Sequence, residues 1–135
     1  MSGTGCDTLV FDLVAAGIKG ADRSVAVALR NQTNEELVWE DSGMDHGKRA
    51  KLAPDEIAPH SVGYWALESD GWKTGVEGWI EFKVGSGGPT LELKYDNPYI
   101  GSNSYGQSVD SNRYKVERSG GDGNNCKVIF TLSYA

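Results

Sequence analysis

Apolar and polar positions alternate along much of this chain. Between residues 75 and 84, Val76, Gly78, Ile80, Phe82 and Val84 are separated by Glu77, Trp79, Glu81 and Lys83. A period of two marks a strand with one buried face. Leu91, Leu93 and Tyr95 repeat it over 90–95, Val25, Val27 and Leu29 over 24–30, and Val128, Phe130 and Leu132 over 127–134. Shorter strands are predicted at 37–39, 61–67 and 113–118. The segments between them are turns by composition: 31–35, Ser69-Asp70-Gly71, 85–89 and 119–125. Residues 41–49, with Gly43 and Gly47, and the polar stretch 96–107 read as loops. Leu9, Leu13 and Ala16 fall at helical spacing, with Asp7 or Thr8 as N-cap and Gly17 as a stop; Val10 and Phe11 favour a strand instead. Short strands with regular turn signals predict an all-β fold, a single β-sandwich over 1–135 with at most one short N-terminal helix inside an arm at 1–23.

Composition narrows the class of partner. The 135 residues include 18 glycines, as many tight turns require, and carry a formal net charge of −6. An acidic chain does not suit nucleic acid or an anionic membrane, both of which ask for clustered Lys and Arg. A zwitterionic or neutral surface remains open. The two cysteines, Cys6 and Cys126, stand near opposite ends and form no disulfide framework. No basic n-region precedes an apolar core, and no apolar run approaches the ~18 to 20 residues that span a bilayer. The expectation is a soluble protein, secreted or released without a visible signal peptide, that acts at a target-cell membrane.

Catalytic chemistry finds little footing. His46 and His60 are the only histidines, and neither has a nucleophile motif beside it. Asp70, Asp96, Asp110 and Asp122 stand next to Gly, Asn or Ser, where Asp serves turns as readily as calcium, and no EF-hand spacing occurs. The chain is expected to be a non-enzyme without metal or cofactor. The aromatic residues carry more information. Trp72 falls in a turn, Tyr99 and Tyr105 in a polar loop, and Trp79 on the polar face of the strongest strand. Aromatic side chains at such positions serve membrane interfaces, sugar stacking and quaternary ammonium recognition, or cap the ends of a core.

The order of segments resembles the actinoporins, pore-forming cytolysins. Phe11-Asp12-Leu13 followed by Val25-Ala26-Val27-Ala28-Leu29 and Asn31 resembles their helix and first strand. Ser42-Gly43, Pro59-His60 and Lys73-Thr74-Gly75-Val76-Glu77-Gly78 resemble their ordered loops and a T-G-x-x-G strand entry. The stretch from Leu93 to Pro98-Tyr99 resembles their aromatic loop, and Val128-Ile129-Phe130-Thr131-Leu132 their last strand. The resemblance implies docking on phosphocholine-headed lipids, sphingomyelin above all, through Ser42, Trp72, Pro98, Tyr99 and Tyr105. It also implies a membrane-inserting segment with Leu9, Phe11, Leu13 and Val14, and a homo-oligomer on the membrane. The family's tyrosine-rich segment has no counterpart, because Tyr114 is the only tyrosine between Val109 and Cys126, and its RGD tripeptide is absent.

Two neighbouring families stay open as alternatives. The aegerolysins, acidic sphingolipid-binding sandwiches that act with a second pore-forming protein, are echoed by Val76-Glu77-Gly78 and Tyr95-Asp96-Asn97-Pro98-Tyr99. Fungal fruit-body lectins bind glycans on a similar sandwich. Length bears on the pore itself: a helix over 7–18 would rise only about 18 Å against a hydrocarbon core of about 30 Å. Membrane binding is therefore expected to be easier to detect than lysis by this chain alone.

Overall fold

The computed structural model describes residues 21–135. Ten strands follow one another: β1 Ser24–Asn31, β2 Leu37–His46, β3 Lys48–Lys51, β4 Glu56–Ile57, β5 Val62–Glu68, β6 Val76–Val84, β7 Thr90–Asn97, β8 Ser104–Val109, β9 Tyr114–Gly120 and β10 Asn125–Tyr134. They form two five-stranded sheets, ordered β3-β5-β1-β10-β9 and β4-β2-β6-β7-β8. Among the described residues every regular element is a strand, so the expected all-β sandwich is what forms. The helix over 9–18, with Leu9, Phe11, Leu13 and Val14, and the cysteine Cys6 lie outside the described residues.

The alternation seen in the sequence becomes the inner faces of the two sheets. Val25, Val27 and Leu29 from β1, Ile80 and Phe82 from β6, Leu91 and Leu93 from β7, and Val128, Phe130 and Leu132 from β10 are buried together. Trp65 of β5 meets Phe82 of β6 across the interior, their ring centroids 5.9 Å apart. β1 is buried on both faces, because Ala26 and Ala28 on its outer side are covered with Val62, Tyr64 and Ile129. Small side chains suit that side, where neighbouring strands supply the bulk.

Topology brings distant parts of the chain to one end. β1 pairs parallel with β10 and antiparallel with β5, so Ser24, Asn125 and Glu68 meet. At that same end lie the β2–β3 turn, residues 69–75, residues 98–103 and residues 121–124. At the opposite end Asn31, buried, donates through Nδ2 to the carbonyls of Glu35 (2.7 Å) and Ala58 (3.1 Å) and accepts from the Thr33 hydroxyl (2.7 Å). The turn at 31–35 is thus tied to the sandwich from inside.

Two segments depart from the sequence reading. Residues 41–46 continue β2 rather than forming a loop, with register shifts between Trp39 and Asp41 and between Met44 and His46. The glycines that suggested a loop have other uses. A Cβ on Gly43 would lie 2.8 Å from the Trp79 ring, and Gly47, at φ 92°, makes the turn into β3, where a Cβ would lie 2.6 Å from the Glu68 carbonyl oxygen. Residues 104–107 likewise belong to a strand, β8, whose polar composition reflects its place at the edge of its sheet.

Leu93 and Phe130 are fully enclosed between the sheets. Leu93→Ala and Phe130→Ala are each expected to cost about 2–5 kcal/mol, read as a lower urea midpoint at unchanged slope. A midpoint within error of the parent would show that the core is not where these faces place it.

Candidate functional site

Three of the five head-group residues implied by the resemblance meet at the end of the sandwich where the first and last strands begin. Trp72 sits in the turn after β5, and Pro98 and Tyr99 follow β7. Asp22 and Arg23 hold the two loops together. Asp22 Oδ2 accepts from the Lys73 backbone N–H at 3.1 Å, while Arg23 donates to the carbonyls of Pro98 (3.3 Å) and Tyr99 (2.7 Å). The Arg23 guanidinium lies 4.6 Å from the Tyr99 ring centroid, and Lys73 Nζ 4.4 Å from that of Trp72. A Cβ on Gly75 would lie 2.8 Å from Pro98 Cα, so glycine permits the close approach of the loops. Trp72 is 81% exposed, and Ile100, which the sequence reading did not single out, is 87% exposed. Its signal was an apolar residue inside a polar loop.

Tyr105 belongs to the same end but turns inward. It is half-buried against Phe130, with ring centroids 6.4 Å apart, and its hydroxyl donates to the Gly121 carbonyl at 2.7 Å. The hydroxyl also lies 3.1 Å from Cys126 Sγ. Burial first, then the Cys126 contact, pushes the Tyr105 phenol up; burial also raises the Cys126 thiol, which is free and enclosed. Asn97 completes the node, donating to the carbonyls of Ser24 (3.1 Å) and Asn124 (2.8 Å) and so joining the two sheets. These groups hold the loops in place.

Ser42 lies elsewhere, on the flank of the sandwich. A cleft of about 400 Å³ opens there between β2 and the chain from β3 to β4. Trp65 and Tyr95, both buried, reach it from the core; Trp39, 40% exposed, and Trp79 supply aromatic surface; Asp41, Arg49, Lys51 and Asp55 bring charge. Arg49 donates to Ser42 Oγ at 3.2 Å, and Asp41 Oδ1 accepts from the Ser42 backbone N–H at 2.8 Å. Burial pushes the Tyr95 hydroxyl up to about 12, against smaller lowering effects of the neighbouring Trp65 indole and of Arg49. The Trp65 Nε1–H stands beside that hydroxyl without closing a hydrogen bond, and it is buried with no partner. The cleft was hidden in the sequence because its parts come from five strands and the segment before β4.

The outer face of the second sheet is acidic. Asp41, Glu81 and Glu92 stand side by side on β2, β6 and β7. Reduced hydration first, then the charges of Glu92, Glu40 and Asp41, raise the Glu81 carboxyl above its ordinary value. Lys83 faces Glu40 at 3.6 Å and Lys94 faces Glu92 at 3.8 Å, which offsets part of the repulsion. His46 Nε2 lies 3.6 Å from Glu77 Oε1, and His60 Nε2 lies 2.7 Å from Asn34 Oδ1. Among the described residues no three His, Cys, Asp or Glu side chains converge as a metal site would require.

No protein-family model matches the chain. An uncharacterized protein of Dictyostelium discoideum is 26% identical over 119 residues, a match that takes in 87% of this chain and only 11% of that protein's length. Among solved structures, the lipid binding protein Nakanori superposes with a TM-score of 0.82 at 14% identity, over 96% of this chain and 79% of the other. RahU protein, solved in complex with Tris, superposes with a TM-score of 0.73 at 14% identity, over 86% of this chain and 98% of the other. These likenesses establish the shared sandwich fold and do not single out the actinoporins.

The acidic row makes a prediction about pH. The folded state holds the Glu81 proton more tightly than the unfolded chain does, whose carboxyl titrates near 4.5. The penalty is absent below that value, grows as pH rises through the raised folded value and is complete above it. Glu81→Gln is therefore expected to raise the melting temperature at pH 7, with the gain fading as pH falls to about 4. Equal melting temperatures for variant and parent at pH 7 would remove the repulsion from the account.

Proposed function

We propose that this protein binds the surface of lipid bilayers through the end of the sandwich that carries Trp72, Tyr99 and Ile100, without covalent chemistry. The observation that carries the reading is the pair Trp72 and Ile100, 81% and 87% exposed on two loops clasped by the same Asp22–Arg23 pair. Large apolar side chains held out into water lose free energy there and gain it in the interfacial layer of a membrane. A cation lies over each aromatic ring, Lys73 over Trp72 and Arg23 over Tyr99, and restrains it by a cation–π contact. Nakanori, which shares the fold, is described as a lipid binding protein, and that supports the same reading.

Charge selects the lipid. The chain carries a net charge of −6, and its acidic sheet face repels an anionic bilayer. Arg23 and Lys73 at the loop end temper that repulsion locally, so zwitterionic head groups such as phosphocholine, including that of sphingomyelin, are the preferred surface. Docking is a task for the described loops, whereas pore formation would fall to the segment with Leu9, Phe11, Leu13 and Val14. Deletion of residues 1–17 is therefore expected to spare vesicle docking, whereas robust dye release that the deletion abolishes would show that the short segment suffices for a pore.

Flotation with phosphatidylcholine–sphingomyelin vesicles tests the docking step. Trp72→Ala and Ile100→Ser are each expected to weaken binding about tenfold, since interfacial burial of one large apolar side chain is worth about 1.5 kcal/mol. Melting temperatures should stay at the parent value because both side chains are free of the core. Parental affinity in the double variant would place the membrane contact on another face.

A further inference from the structure

We propose that the flank cleft is a second, independent binding site whose ligand is a neutral pyranose sugar. Size is the first argument. About 400 Å³ sits at the small end of ligand sites and admits one or two sugar rings rather than a peptide. Its position is the second. The cleft opens between β2 and the β3–β4 chain, and none of its lining residues belongs to the loops that carry Trp72 and Ile100.

The chemistry of its walls then selects among small ligands. Arg49 and Lys51 are matched by Asp41 and Asp55. A ligand with net charge gains from one pair and loses to the other. A polyol meets no such conflict, because each hydroxyl can donate to a carboxylate and accept from a guanidinium or ammonium. The contact of Arg49 with Ser42 Oγ uses one of its five donors, and the Ser42 N–H uses Oδ1 of Asp41 and leaves Oδ2. Both side chains are thereby oriented with bonding capacity to spare.

Aromatic surface supplies the rest. Trp39 stays 40% exposed beside the cleft, and Trp79 is seated over Gly43, where any Cβ would displace it. Indole faces match the C–H faces of a pyranose, which is apolar across the ring and polar around its edge. Beneath them the Trp65 Nε1–H is a buried side-chain donor without a partner, next to the Tyr95 hydroxyl. The indole N–H and the Tyr95 hydroxyl together put polar atoms on the cleft floor, and a sugar hydroxyl that reaches them can accept from the indole. It can also donate to the Tyr95 oxygen.

The full chain is titrated with the methyl β-galactoside, β-glucoside, α-mannoside and β-N-acetylglucosaminide, following tryptophan fluorescence and saturation-transfer NMR. At least one glycoside is expected to saturate below about 10 mM. Trp39→Ala and the isosteric Asp55→Asn are expected to weaken that response at least tenfold while floating with vesicles like the parent. Trp72→Ala should leave it intact, so this site and the membrane-docking reading fail separately. Adding a glycosylceramide to phosphatidylcholine vesicles asks where the sugar comes from. Extra binding that Trp39→Ala abolishes points to a glycolipid, and its absence beside a saturating free glycoside points to a soluble or protein-borne glycan. Saturation by phosphocholine with every glycoside inert, or no saturation by any glycoside, overturns the proposal.

Discussion

The pairing of β1 with β10 is the constraint on which the other features depend. β1 lies at the centre of its sheet, buried on both faces, with β5 on one side and β10 on the other. Its inner Val25, Val27 and Leu29 belong to the core, and its outer Ala26 and Ala28 pack under their neighbours. The pair is parallel and joins residues about a hundred positions apart, Ser24 to Asn125. Contacts of such separation form late and slowly. Once formed, they bring the start of β1 and the start of β10 to the same end, where Asn97 reaches across from the other sheet to both. The loop end with Trp72 and Ile100 is therefore built on the junction of the chain's two halves.

How much of this was legible depends on where each segment draws its stability. β6, β7 and β10 bury one face in regular alternation, and their sequences show it; β1, buried on both faces, shows it as large apolar residues alternating with alanines. β8 and the far half of β2 do not. Ser104, Gln107 and Ser108 lie at a sheet edge that faces water, so no apolar period marks them. Gly43 serves the Trp79 ring rather than a turn, a use that only the folded contact reveals. Of the five residues that the resemblance implied, Trp72, Pro98 and Tyr99 come to one end because Asp22 and Arg23 clasp their loops from far along the chain. The inward turn of Tyr105 was not readable, since it follows from its place opposite Tyr95 in the β7–β8 register. Ser42 is carried to the flank by a register shift between Trp39 and Asp41 that composition does not encode.

The described surface is divided by charge and polarity into distinct regions. The outer face of the second sheet gathers carboxylates, with Lys83 and Lys94 interspersed. The loop end has its own cations placed over aromatic rings. The flank cleft is balanced, with two cations and two carboxylates around tryptophan surface.

The bonds that fasten the loop end share one property. Arg23 grips the carbonyls of Pro98 and Tyr99, Asn97 those of Ser24 and Asn124, and Asn103 those of Gly121 and Gly123. In all of these, as where Asp22 Oδ2 accepts from the Lys73 N–H, the gripped atom is main chain, which any residue offers. The fastening thus reads the path of each loop and is indifferent to the side chains the loop displays. Positions 72, 99 and 100 can be rewritten without unpicking their anchors, which makes this end of the sandwich a ready scaffold on which new surface specificities could be grafted or evolve.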